Sequence, residues 1–70
     1  MTDIRIRDEF IKLGQLLKLA GLVGSGLEAK VEIINGNVRV NGNTETQRGK
    51  KIYPGDVVEY KEEKIKVTNS

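Results

Sequence analysis

Lys12, Lys18, Lys30, Arg39, Arg48, Lys50 and Lys51 are the side chains of this sequence best suited to do chemistry, and the chemistry they suit is the neutralisation of a polyanion. Residues 12 to 51 hold these seven cations against Glu28, Glu32 and Glu45, a balance of 7 − 3 = +4. Residues 1 to 11 carry two arginines against three acids, and residues 52 to 70 three lysines against four acids, so each flank comes to −1. The modest whole-chain charge of +2 therefore conceals one basic region. Within it, Arg48, Lys50 and Lys51 follow one another with no acid between them. Gln15 and Asn41 are the neutral amides placed to add directional hydrogen bonds beside the cations.

Other chemistries are excluded by what the sequence lacks. There is no histidine and no cysteine, which removes the commonest general base, the usual nucleophile-base pairs and most zinc sites. Asp56 and Glu59, three apart on a strand, would point to opposite faces and make a poor carboxylate pair. The glycines of GLVGSG, residues 21 to 26, lack the lysine of a phosphate loop and read as a turn between helices. The expectation is thus a binding module and not an enzyme, with no metal and no cofactor. Only three aromatics occur: Phe10 is assigned to the core, and Tyr53, beside Lys51, to a structural role in preference to base stacking.

Seventy residues fit one domain, residues 1–70. The absence of cysteine suits a reducing cytoplasm. Charges in MTDIRIRDEF break the apolar run that a signal peptide needs, and no stretch is long and apolar enough to span a membrane.

Periodicity supplies the scaffold for the cations. DIRIR alternates and predicts a short edge strand with Ile4 and Ile6 inward. Asp8 is expected to cap a helix over 9–20 whose inner face is Phe10, Leu13, Leu16, Leu17 and Ala20, with Lys12, Gln15 and Lys18 as an outer polar stripe and Gly21 as its stop. SGLE at 25–28 predicts a capping box and a second helix that buries Leu27, Val31 and Ile34, carries Lys30 on its flank and ends at Gly36. Beyond Gly36 the period changes to two. VRV, a turn at Asn41-Gly42, a polar TETQRGKK segment, a Pro54-Gly55 turn and the strands DVVEY and KIKVT follow. The expected fold is α+β: two packed helices followed by a small antiparallel sheet, with an extra N-terminal strand.

SGLEAKVEIINGNVRVNG, with PGDVVEY further on, resembles the RNA-binding domain of ribosomal small-subunit protein four. This αL motif is also found in pseudouridine synthases, tyrosyl-tRNA synthetases and heat-shock RNA-binding proteins. Ser25, Ala29, Ile33, Ile34, Gly36, Val38, Val40, Asn41, Gly42, Gly55 and Asp56 fill the family's places over a core of about residues 10–60. Gly26 stands where the wider family has an arginine, and Lys12-Leu13-Gly14 where it has Arg-Leu-Asp. Short stand-alone bacterial members carry additional cations around the hairpin, as Arg39, Arg48, Lys50 and Lys51 do here. The resemblance implies a monomeric RNA-binding module that docks structured RNA, ribosomal RNA or tRNA, free or in ribosomal particles. The pattern of cations and amides assigns the contact to Lys12, Gln15, Lys18, Lys30, Arg39, Asn41, Arg48, Lys50 and Lys51. The alternative is a protein-interaction or assembly module that offers the same basic face to an acidic partner. Duplex DNA binding is disfavoured, because Glu28 and Glu32 on the second helix would meet phosphate repulsion in a groove.

Overall fold

The alternation of DIRIR does make a strand: in the computed structural model, which describes residues 1–69, β1 (Thr2–Ile6) turns Ile6 into the core and half-buries Ile4. After it come β2 (Ile11–Lys12), α1 (Leu13–Leu19), α2 (Gly26–Ile34), β3 (Val38–Val40), β4 (Asn43–Thr44), β5 (Lys51–Ile52), β6 (Val57–Tyr60) and β7 (Glu63–Asn69). Five strands form a sheet in the order β1-β7-β6-β3-β4, and β2 pairs with β5 in a separate two-stranded ladder. The fold is α+β, as expected, but the sheet is mixed. β1 runs parallel to β7, whereas β7, β6, β3 and β4 are antiparallel neighbours. Two-residue turns join β3 to β4 and β6 to β7, whereas β3 and β6 pair across the segment that holds β4 and β5. Nearly the whole chain lies between β1 and β7, long enough to bring the last strand back in the same direction as the first.

The helices cover one face of the sheet. Leu13, Leu16 and Leu17 from α1 and Ala29 and Ile33 from α2 pack with Ile6, Val38, Val40, Val58, Tyr60, Ile65 and Val67 from the sheet, and Ile52 joins them from the ladder. Because Val38 and Val40 point inward, Arg39 between them faces solvent on the far side of the sheet. There it lies opposite Glu59, which in turn lies opposite Lys64, a row of alternating charge across three strands.

Four local expectations are corrected. Asp8 does not cap α1, which begins at Leu13, because β2 occupies the residues before it. Lys12 is the N-cap and has no side-chain cap hydrogen bond. The chain after β4 supplies the partners instead: the Leu13 amide donates to the Lys50 carbonyl at 2.9 Å and the Gly14 amide to the Arg48 carbonyl at 3.1 Å. Phe10 consequently leaves the helix, and it is half-buried against Tyr53 and not in the core.

On α2 the large apolar stripe faces outward. Leu27, Val31 and Ile34 are 71%, 49% and 54% exposed, while Ala29 and Ile33 are fully buried. Small Ala29 lets α1 approach closely, so packing selects this face over the bulkier one. The capping box is also displaced by one residue: Ser25 Oγ accepts from the Glu28 amide at 3.1 Å, and the Glu28 carboxylate accepts from Gly24 at 3.2 Å. Both helices end as the glycines predicted. Gly21 (φ 74) donates to Lys18 and Leu22 to Leu17; Gly36 (φ 79) donates to Ile33 and Asn37 to Glu32. Each pair is a Schellman closure that satisfies the last carbonyls.

Candidate nucleic-acid interface

The ladder of β2 and β5 organises the basic residues. Its register pairs Ile11 with Ile52 and Lys12 with Lys51. Ile52 is buried, so the alternating neighbours Lys51 and Tyr53 lie on the exposed side, as does Lys12. Two lysines directly opposite one another repel, a local cost that an anion placed over them would remove.

Arg48 extends this surface around the start of α1. Its side chain lies against Gly14 so closely that a Cβ on that glycine would come within 2.9 Å of Arg48 Cγ. The aspartate of the wider pattern would be impossible here without displacing the arginine. Lys12, Gly14, Gln15, Lys18, Gly26, Arg48 and Gly49 line a cleft of about 460 Å³ that brings together four of the residues selected from sequence. A side chain at Gly26 would project into open space, so nothing packs where the wider pattern has its arginine. Lys50 and Lys51 line an adjoining hollow with Asn41, Glu45, Tyr53 and Asp56.

Asn41 organises the turns. Asn41 (φ 51) and Gly42 (φ 85) both take the left-handed conformation that a two-residue hairpin turn requires. Asn41 Nδ2 donates to Asp56 Oδ1 at 3.0 Å, and Asn41 Oδ1 accepts from the Val57 amide at 2.9 Å. The other oxygen of Asp56 accepts from the Tyr53 amide at 2.8 Å. Asn41-Gly42 and Gly55-Asp56, which fill the family's places in the sequence, are thus the two halves of a clasp that ties the hairpin turn to the Pro54-Gly55 turn. That clasp fixes β5 and Lys51 on it.

Arg39 and Lys30 stand apart from the cleft. Arg39 borders a hollow on the outer sheet face with Gly36, Asn37, Glu59 and Lys61, and Lys30 lies exposed on α2. Two aromatics that sequence reasoning set aside join the ladder face. Phe10 and Tyr53 extend the same register by one position, with ring centroids 5.8 Å apart at 50°, and Lys51 Nζ lies 4.8 Å from the Phe10 centroid. The signal was present as two mirror-image triplets, Phe10-Ile11-Lys12 and Lys51-Ile52-Tyr53, which antiparallel pairing superposes ring on ring and cation on cation.

Two short helices on one face of a small sheet, joined through a glycine-rich turn and followed by a clasped Asn-Gly hairpin, define the αL class of domain. The chain belongs to the S4 domain family, whose model matches residues 4–68. It is 48% identical over 58 residues to the probable ribosome maturation protein RlbA of Bacillus subtilis, covering 83% of this chain and 82% of that protein. It is also 39% identical over 57 residues to the putative RNA-binding protein YbcJ of Escherichia coli, covering 81% of each. The solution structure of YbcJ, described as having an αL motif involved in RNA binding, superposes with a TM-score of 0.75 at 33% identity over 97% of this chain and 87% of that one.

Proposed function

We propose that this protein is a non-catalytic cytoplasmic module that docks structured RNA, ribosomal RNA or tRNA, by laying phosphates across the cleft and the β2–β5 ladder. The observation that carries this reading is the opposition of Lys12 and Lys51 beside Arg48, a cluster of like charge held by backbone pairing at the mouth of a glycine-lined cleft. Cations gathered by a paired backbone meet a polyanion without further ordering of the main chain, and they contact its phosphates without reading bases. The glycines allow a close approach. Family membership supports the RNA partner, and the name of the B. subtilis relative supports the ribosomal end of the range.

Filter binding with ribosomal RNA fragments, tRNA, duplex DNA of equal length and an acidic protein tests the reading. The expected order places structured RNA well above both competitors. Replacing Arg48, Lys50 and Lys51 with alanine should weaken RNA binding by at least tenfold and leave the melting temperature within a few degrees, since exposed charges contribute little to stability. Tighter binding to the acidic protein than to any RNA would replace the reading with that of a protein-interaction module.

A further inference from the structure

The exposed side of the ladder is more than a pair of cations. Phe10 and Lys12 on one strand face Tyr53 and Lys51 on the other, so two rings adjoin two ammonium groups on one small surface. Of the aromatics in the chain, one phenylalanine and two tyrosines, Tyr60 is buried and Tyr53 is 41% exposed. Tyr53 has little visible work in the core. The neighbouring Ile52 makes the buried contact, and the position of residue 53 is fixed through its backbone amide, which Asp56 accepts. What the ring does offer is a half-exposed surface that adjoins Phe10 and shares a hollow with Lys51. Phosphate recognition alone needs no such ring.

We infer that the ladder face is a nucleotide platform: an unpaired base of the bound RNA stacks on Tyr53, and the phosphate beside it rests between Lys12 and Lys51. This rests on the RNA-binding reading and adds to it a preference for RNA with an extruded base. Base-aromatic stacking is tolerant of base identity, so the platform selects a looped-out nucleotide by its accessible face and not by its edge. Phe10 packs against the tyrosine ring at a tilt of 50°, and the ammonium of Lys51, already against Phe10, lies on the same face to meet the phosphate of a stacked nucleotide.

The test uses three RNA hairpins of equal length: one with a single bulged adenosine, one with an abasic residue at the bulge, and one fully paired. The wild-type protein should bind the bulged hairpin about tenfold more tightly than the abasic one, the order of effect that loss of one stack produces. Tyr53→Leu should abolish that preference while its salt dependence stays as steep as that of the wild type. Tyr53→Phe, which keeps the ring, should restore the preference. Thermal unfolding of each variant confirms that the fold is retained, and the abasic comparison on wild-type protein needs no variant. Equal binding of bulged and abasic hairpins with a steep salt dependence overturns the platform and leaves the phosphate reading standing. Failure to bind any hairpin in a salt-dependent way overturns both.

Discussion

At the scale of single residues, two positions separate contact from support. Gly26 opens onto the cleft with nothing within reach of an added Cβ, and it sits at the first position of α2 with a backbone conformation open to any residue. Gly26→Arg is therefore expected to raise RNA affinity several-fold and to steepen its salt dependence by somewhat less than one unit, as one additional phosphate contact would. Gel-shift titration at several salt concentrations measures both. Asn41 is the opposite case. Its side chain holds Asp56 and the Val57 amide, and its backbone is left-handed, which asparagine tolerates better than most residues. Asn41→Ala should cost about 1–3 kcal/mol, through the lost hydrogen bonds and the strained φ together. In a domain of this size that is a fall of roughly 4–8 °C in melting temperature per kcal/mol, measurable by calorimetry. Unchanged stability with weakened RNA binding would return Asn41 to the contact surface.

At the scale of elements, the sequence was legible wherever backbone conformation forced a residue type. Gly21, Gly36, Gly42 and Gly55 all have positive φ, and each stands at a helix end or turn that could be read in advance. The start of α1 was not legible in this way. A capping side chain is a local signal, but the first amides of α1 are satisfied by carbonyls of residues 48 and 50, about 35 positions away, and no local pattern announces them. The inner face of α2 was misread for a related reason. Leu27, Val31 and Ile34 repeat at helical spacing with more hydrophobic bulk than Ala29 and Ile33, yet close packing against α1 favours the smaller face. The cleft shows the same division: Lys12, Gln15 and Lys18 were visible as a stripe, whereas Arg48 reaches them only through tertiary pairing. The packing assignment is directly testable. Ile33→Ala should destabilise by about 2–5 kcal/mol, the cost of a cavity in a core, whereas Ile34→Gln at an exposed site should stay within about 0.5 kcal/mol. Urea unfolding of the two variants decides it, and equal losses would mean that α2 is rotated from the position described.

At the scale of the whole molecule, what matters is how the cations divide between two surfaces. Val38 and Val40 commit β3 to the core and so send Arg39 to the outer sheet face, opposite Glu59. Lys12, Lys18, Arg48 and Lys51 lie on the cleft and the ladder. If those four neutralise phosphates, counterion release gives a log-log salt slope of roughly −3 to −4, and affinity should fall on the order of a hundredfold between 50 and 200 mM salt. Lys51→Met should flatten that slope by somewhat less than one unit. Arg39→Met should leave it where it was, even though the net charge of the protein falls equally in both variants. The comparison therefore separates a located contact from general electrostatic attraction, which would respond alike to either change. A flattening by Arg39→Met equal to that of Lys51→Met would mean that RNA wraps past the hairpin onto the outer sheet face. A wild-type slope near zero would remove phosphate neutralisation as the basis of binding altogether.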